Sequence, residues 1–345
     1  MTGDLRLASL ETRTAGGSVA KRLIDGYDAL FADLDGVVYE GGKAIEHAVE
    51  ILRSIQSEGI TLSYVTNNSS RKPETIAEQI SAYGIKVLPA EVVSSGQTGV
   101  ELLSTLVEPG SKILVVGGEG LRTYTEQAGF QLVEDSTQNP AAVIQGFSPD
   151  VGWKHLSEAA FAIQNGAKWV ATNSDWTIPQ ERGIAPGNGT LVSAVHTAVG
   201  LLPLVAGKPE IAIFETAKRR FGVSRPLFVG DRIDTDILGA NRAGIDSVLV
   251  LTGISKPKEL LATRDDSNPK FIIADLRELL VPYVQPKATK YGFSLREAAV
   301  ELLGNKVRVT SGDPKGIDAL RCACALIWGS GKAIHTLDVE PSLYE

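Results

Sequence analysis

Short apolar runs of strand length alternate with amphipathic, helix-length segments along most of this 345-residue chain. That alternation constrains the fold more than any other feature. A strand that returns through a helix to its own sheet returns in parallel, so repeated units build a parallel sheet with helices over both faces. Tyr27–Ala32 predicts a first strand. Ala44–Glu58 predicts a helix, with Ile45, Ala48, Leu52 and Ile55 at helical spacing and Gly59 as its stop. Thr61–Val65 predicts a second strand, and Pro73–Tyr83 a helix with proline at its first position and Gly84 past its end. Much later come a helix over Pro209–Phe221, a strand over Pro226–Val229, a helix over Asp234–Ala243 and a buried strand over Ser247–Leu251.

A second set of the same kind lies between these blocks. Lys112–Val116, Ala141–Ile144 and Trp169–Ala171 predict strands, and Leu121–Ala128, Ser157–Asn165 and Leu191–Val199 predict helices. Residues 98–206 are enough for a separate α/β domain. The expectation is a Rossmann-like, doubly wound α/β core over 25–97 and 207–285, interrupted by an inserted α/β cap over 98–206. An N-terminal tail occupies 1–24. From Pro286 onward the pattern changes. Ser294 and Glu297 predict a capping box that opens a helix to Leu303, followed by a strand over Lys306–Thr310 and a helix over Ile317–Trp328. This small α+β extension, 286–345, buries too little surface to stand alone, so it is expected to pack on the main body or a partner chain.

The formal net charge of -7 argues against a nucleic-acid partner, which requires clustered positive charge. No stretch approaches a membrane span, and the first two dozen residues contain no continuous apolar segment of the signal-peptide kind. A cytoplasmic address is therefore expected. The only two cysteines, Cys322 and Cys324, are too close for an ordinary disulfide and lack the companions of a zinc site, so two reduced, core-facing thiols are expected.

Chemistry concentrates where the strands of the interrupted domain end. Asp33-Leu34-Asp35-Gly36 follows the first strand, Thr66-Asn67-Asn68-Ser69 the second, and Gly230-Asp231 through Asp236 the strand at Pro226–Val229; Lys208 precedes a helix. In an open parallel sheet the carboxyl ends of the strands share one edge, where ligands bind. One Asp pair alone is ordinarily a turn or cap, and one lysine a solvated surface charge. Four such clusters on one sheet edge bring together carboxylates that repel one another unless a cation holds them, and hard oxygen donors favour Mg²⁺. A metal beside a lysine neutralises a phosphoryl group in transfer, and a carboxylate can serve as the nucleophile. The residues thus point to phosphoryl transfer.

These motifs resemble the four signatures of the haloacid dehalogenase-like hydrolases, and their Thr-Asn-Asn-Ser, Gly-Lys-Pro and Gly-Asp-Arg contexts are similar to the NagD-like phosphatases with an inserted α/β cap. The resemblance spans about Tyr27 to Leu280 and excludes the extension. It implies a Mg²⁺-dependent phosphatase of small phosphorylated metabolites such as glycerol phosphate or phosphoglycolate, working through an aspartyl-phosphate. Asp33 would be the nucleophile, and Asp35 the proton donor and later base. Asp33, the carbonyl of Asp35 and Asp231 would hold the metal, with Asp236 supporting the site. Thr66 and Asn68 would bind the phosphoryl oxygens with Asn67 beside them, and Lys208 would balance their charge. In the cap, Thr172-Asn173-Ser174-Asp175 and the glycine-rich Gly183–Gly189 loop resemble a substrate-facing segment, which makes Asn173 and Asp175 candidate substrate ligands; a plain turn accounts for the same residues. Caps of this group often pair, so a homodimer is open to the chain. A phosphotransferase or mutase with the same intermediate, and a ligand sensor acting through the extension, are the alternatives.

Other signals do not hold up. Gly117-Gly118-Glu119-Gly120 lacks the third glycine of a dinucleotide site, since Thr123 stands in its place, and is expected to be a strand-to-helix turn. His47, His155, His196 and His335 show no metal-ligand spacing, and neither a P-loop nor a G-x-S-x-G elbow is present.

Overall fold

The computed structural model describes residues 21–180 and 182–345, so most of the expected N-terminal tail lies outside the described residues. The end of that tail belongs to the body instead. Leu23 and Ile24 are buried in the core, and the Leu23 N–H donates to the Val281 carbonyl at 3.0 Å.

Six parallel strands form the central sheet, in the order Phe271–Ile273, Asp246–Val250, Pro226–Gly230, Ala29–Ala32, Thr61–Thr66, Val92–Ser94. Strand side chains alternate between faces. Leu30 and Ala32 therefore meet Leu52, Ile55, Ile76 and Ile80 on one side, while Ala29 and Phe31 meet Ile213, Phe214 and Ala217 on the other. Both faces are covered by helices, as a parallel sheet requires. The helix expected from Ala44 starts later, at Ala48, because Lys43–Ala44 pairs with Tyr39–Glu40 and His47 turns the chain with φ +64°.

The chain leaves this sheet through a helix, Ser95–Leu103, whose start is fixed reciprocally by Ser94 and Gln97. Val100 and Leu103 pack with Ile113 and Ile144 of a second, five-stranded parallel sheet. That sheet runs Leu204–Val205, Lys168–Ala171, Ala142–Gln145, Lys112–Val116, Gln131–Val133. The division expected between residues 97 and 98 thus falls inside one continuous helix. Gly117–Gly120 is the strand-to-helix turn expected of it, leading into the helix Glu119–Gln127. Gly183–Gly189 is not a plain loop. Gly183–Pro186 pairs with Thr177–Gln180 as a hairpin, and Asn188 and Gly189 open the helix Asn188–Val199.

The extension differs most from expectation. The helix expected from Ser294 to Leu303 is a β-hairpin, Gly292–Leu295 against Ala298–Leu303, turned through Arg296 at φ +50°. Ala298 and Val300 are buried on alternate positions while Ala299 and Glu301 are half-exposed, the period of a strand. Tertiary burial against the helix Ile317–Gly329 overrides the helical propensity of this segment. The strand at Lys306–Ser311 and that helix match expectation, and Cys322 and Cys324 are buried, unbridged thiols. The extension packs on the main body. Its Leu295, Val300, Leu320 and Ile327 share one apolar core with Ile237, Leu249, Leu260 and Ile272 of the central sheet and its helices. Arg321, 2% exposed, fastens the two together, donating from Nε to the Ile272 carbonyl at 2.8 Å and pairing with Glu278 at 2.6 Å.

Candidate active site

The tight turn after Ala29–Ala32 places the first two acids. The Asp33 N–H donates to the Val229 carbonyl (2.9 Å), which continues the sheet; the Val38 N–H then returns to the Leu34 carbonyl (2.8 Å). Gly36 sits at φ +83°, where a side chain is strained, and a Cβ on it would lie 2.3 Å from Asp231 Oδ2. Gly253, in the loop after Asp246–Val250, is equally tight: its Cβ would fall 2.0 Å from the same oxygen. The Asp231 carboxylate is therefore packed between two glycine backbones, and its Oδ2 accepts from the Ile254 N–H at 2.7 Å. The sequence reading missed Gly253 and Ile254, although a Thr-Gly pair after a further parallel strand is the signal that marks them.

The helix expected over Asp234–Ala243 begins instead as a wide π-turn, Ile233–Ile237, before Leu238–Arg242. This turn folds Asp236 back under its own loop. Asp236 Oδ2 accepts from the N–H groups of Asp231 and Arg232, both at 3.1 Å, and Oδ1 lies 2.7 Å from Lys208 Nζ. Lys208 also donates to Asp33 Oδ1 (2.6 Å) and to the Val65 carbonyl (3.1 Å). The ammonium is thus enclosed by two carboxylates and the end of the second strand.

Asp33, Asp231 and Asp236 each present a carboxylate oxygen within 4.8 Å of the others. Three acids against one lysine leave negative charge in excess. Burial first, then Asp236, pushes Asp231 up to about 7. Burial likewise raises Asp33 well above the carboxylate range, and Asp236 and Asp231 add to this while Lys208 opposes it. Burial works against the charge on Lys208, but Asp236 and Asp33 outweigh it and hold the ammonium above the ordinary lysine range. Asp231 Oδ1 is buried and has no hydrogen-bond partner among the described residues. A buried carboxylate oxygen without a donor, in a cluster of hard oxygen donors, fits Mg²⁺.

Asp35, two residues on from Asp33, is exposed to solvent. Crowding by the surrounding protein raises its pKa, with Arg71 and Lys208 pulling the other way. Thr66 is buried and its Oγ1 accepts from the Asn68 N–H at 3.1 Å. Asn68 Oδ1 is committed to its own loop, accepting from the N–H groups of Ser70 and Arg71, both at 3.1 Å. Asn67 turns away from the cluster, toward Lys208 and the cap. From the cap, Asn173 donates to the Asn67 carbonyl at 2.8 Å, and Asp175 accepts from Asn67 Nδ2 at 3.1 Å. The structure thus gathers Asp33, Lys208, Asp231 and Asp236 into one cluster, to which Asn67, Asn173 and Asp175 are joined by cap-to-core contacts; Asp35 and Asn68 stand on the loops that follow the strands Ala29–Ala32 and Thr61–Thr66, and Thr66 ends the second strand. Arg232, to which the sequence reading gave no role, lies beside this cluster, paired with Asp234 at 2.7 Å. Asp175 and Asp236 add to the field that keeps it charged.

Two family descriptions match this chain: haloacid dehalogenase-like hydrolase over residues 30–131 and HAD-hydrolase-like over residues 205–279. The first match runs on into the inserted sheet, through its strand Lys112–Val116, and the second begins at that sheet's strand Leu204–Val205. A D-glycerol 3-phosphate phosphatase of Mycobacterium tuberculosis is 40% identical over 259 residues, 75% of this chain and 72% of that protein. A 5′-nucleotidase of Bacillus subtilis is 35% identical, covering 75% of this chain and 99% of that one. Among solved structures, the glycerol phosphate phosphatase of M. tuberculosis in complex with magnesium superposes with a TM-score of 0.83 at 34% identity, covering 93% of this chain and 95% of that one. That coverage necessarily extends into the C-terminal α+β unit. The 4-nitrophenylphosphatase of Thermotoga maritima gives a TM-score of 0.69 at 29% identity, covering 75% of this chain and 98% of that one. The chain belongs to the haloacid dehalogenase-like hydrolases. Within them it is a phosphoric monoester hydrolase of the capped, NagD-like group, with Mg²⁺ as its cofactor.

Proposed function

We propose that this chain hydrolyses small-molecule phosphate monoesters in two steps through a phosphorylated Asp33. The observation that carries this reading is the position of Lys208, locked between Asp33 and Asp236 beside the unpartnered Asp231 oxygen. Asp33, the Asp35 carbonyl and Asp231 would hold Mg²⁺, with Asp236 fixing the loop beneath. The cation supplies charge neutralisation for the phosphoryl group. Asp33 attacks phosphorus as the ester P–O bond breaks, and Asp35 donates its proton to the departing oxygen. Asp35, now ionised, takes a proton from water; the resulting attack on phosphorus releases phosphate and restores Asp33. A raised Asp35 pKa suits both duties, because the group must be protonated in the first step and basic in the second. Thr66 and Asn68 contact the phosphoryl oxygens, and Lys208 balances their charge.

The catalytic core expected over 25–97 and 207–285 takes in Leu23 and Ile24 as well, the helix Ser95–Leu103 carries the chain from it into the cap that ends at 206, and 286–345 is an extension buttressing the core. The substrates are small phosphorylated metabolites, phosphoglycolate and glycerol phosphate among the candidates, the second supported by the similar D-glycerol 3-phosphate phosphatase. The proposed setting is the cytoplasm, where the two free thiols persist, and the proposed assembly is a homodimer. Purified protein with Mg²⁺ should release phosphate from p-nitrophenyl phosphate and from a panel of such esters. Exhaustive chelation should abolish release and added Mg²⁺ restore it. Full activity after chelation would overturn the reading.

A further inference from the structure

Beside the cluster, Asn67 spends both of its amide hydrogens on protein. Asn67 Oδ1 accepts from the Lys208 N–H at 2.8 Å. Its Nδ2 has two hydrogens: one goes to the Lys208 carbonyl at 3.0 Å, the other to the Asp175 carboxylate, with its oxygens at 3.1 and 3.2 Å. Only one orientation of the amide satisfies these partners, since the oxygen must face an N–H and the nitrogen a carbonyl and a carboxylate. Both hydrogens are spent on protein, so no donor remains for a phosphoryl or hydroxyl oxygen of a substrate. The Asn67 main chain is held as well, its carbonyl accepting from Ser95 Oγ at 2.7 Å and Asn173 Nδ2 at 2.8 Å. Asn173 in turn accepts from the Asp175 N–H at 3.2 Å, so the same cap loop grips Asn67 twice. Gly207 makes the approach possible: a Cβ there would lie 2.6 Å from Asn67 Oδ1 and 2.6 Å from the Thr172 carbonyl.

We propose that Asn67 and Asp175 are positioning residues that seat Lys208 and tie its place to the cap, rather than ligands of the substrate. The inference rests on the phosphatase reading above and adds to it. Lys208 is gripped at both its N–H and its carbonyl by one amide, so the direction in which its side chain leaves the backbone is set by Asn67. Asn67 is set in turn by Asp175, a residue 108 positions away in the inserted segment. Seating of the cap loop therefore reaches the ammonium that touches Asp33, through three residues in direct contact. A charged acceptor makes the strongest link of this kind, and losing it leaves a half-buried amide donor unpaired.

The test uses the full chain with Mg²⁺ and two esters of unlike leaving group, p-nitrophenyl phosphate and glycerol 3-phosphate. N67A and D175A should each lower kcat by roughly ten- to a hundredfold. The factor should be the same on both esters, with KM nearly unchanged, as for a group that acts only through the shared phosphoryl site. The double variant should be no slower than the slower single one, because the two residues form one chain of contacts. D175N keeps an acceptor for Asn67 and should recover a large part of the D175A loss. G207A, which crowds the same amide without removing it, should show the same kcat-only defect. Losses that differ between the esters, a KM rise on one of them, or additive single effects would overturn the positioning role in favour of direct substrate contact. Unchanged kcat in D175A and G207A, which do not delete the amide, would also overturn it. A wild-type protein inert toward every ester would instead count against the phosphatase reading itself.

Discussion

Replacing Lys208 with methionine, which preserves the length of the side chain and removes its charge, probes the electrostatic centre most sharply. Lys208 is 2% exposed and lies 2.6 Å from Asp33 and 2.7 Å from Asp236. Removing one partner from a buried ion pair costs about 3–5 kcal/mol, because the remaining charge is left uncompensated. Here two carboxylates lose the same cation, with Asp231 beside them, so the upper part of that range is expected in metal-free protein at pH 8. The cost should depend on pH in a defined direction. A carboxyl raised in the folded state contributes stability that is fully present below its unfolded value near 4 and is lost as pH rises through the folded value, about 7 for Asp231. The K208M deficit should therefore be small at pH 5 and largest at pH 8. Saturating Mg²⁺ should narrow it, since a ligand of the folded state alone stabilises it by mass action. Urea titrations of both proteins, followed by fluorescence of the four tryptophans, measure this directly. A midpoint equal to wild type at pH 8 without metal, or a deficit independent of pH and Mg²⁺, would show that Lys208 does not compensate the buried acids. Turnover should fall by about 10²–10³-fold, as when one donor to developing charge is removed.

The remaining expectations concern the extension and the acid. R321M should destabilise the protein by about 1–3 kcal/mol, because it leaves the buried Ile272 carbonyl without its donor and the half-exposed Glu278 without its partner; a stability unchanged in thermal melts would show the extension to be loosely attached. Truncation after Pro286 should expose the apolar face of Ile237, Leu249, Leu260 and Ile272 and promote aggregation; a monodisperse, fully soluble truncation would contradict this. Because Asp35 is raised and must be protonated to release an alkoxide, kcat/KM on glycerol 3-phosphate should be held at low pH and lost as pH rises through that value. D35N should remove this alkaline limb, and its persistence in D35N would assign it to another group.

The catalytic edge was legible because chemistry and topology coincide there. Each motif follows a short apolar strand, and parallel strands deliver their carboxyl ends to one side of the sheet. The interrupted order was legible for the same reason, since two α/β patterns are separable by where the polar strand ends occur. The extension was not. Ala298-Ala299-Val300-Glu301-Leu302-Leu303 is rich in helix formers, and Ser294 with Glu297 fits a capping box. The turn that makes it a hairpin uses Arg296 at φ +50°, a position that glycine or asparagine usually marks. Partner burial, invisible in sequence, decides the outcome. The role of Asn67 was hidden differently: the residue was recognised, but its partners come from segments 108 and 141 positions away. The wide turn at Ile233–Ile237 has no sequence signature, though it is what lets Asp236 reach Lys208.

A phosphoryl group that passes through Asp33 can be trapped there. D35N keeps the nucleophile and the Lys208 cluster but removes the group that activates water. p-Nitrophenolate leaves without a proton, so mixing D35N, Mg²⁺ and p-nitrophenyl phosphate should give a rapid burst of nitrophenol followed by slow turnover. Acid quenching within the burst, then mass spectrometry of the digested protein, should find one phosphoryl group on the peptide bearing Asp33. D33N should show neither burst nor label. Steady hydrolysis by D35N without a burst or phospho-protein, or a label on any other residue, would contradict the account.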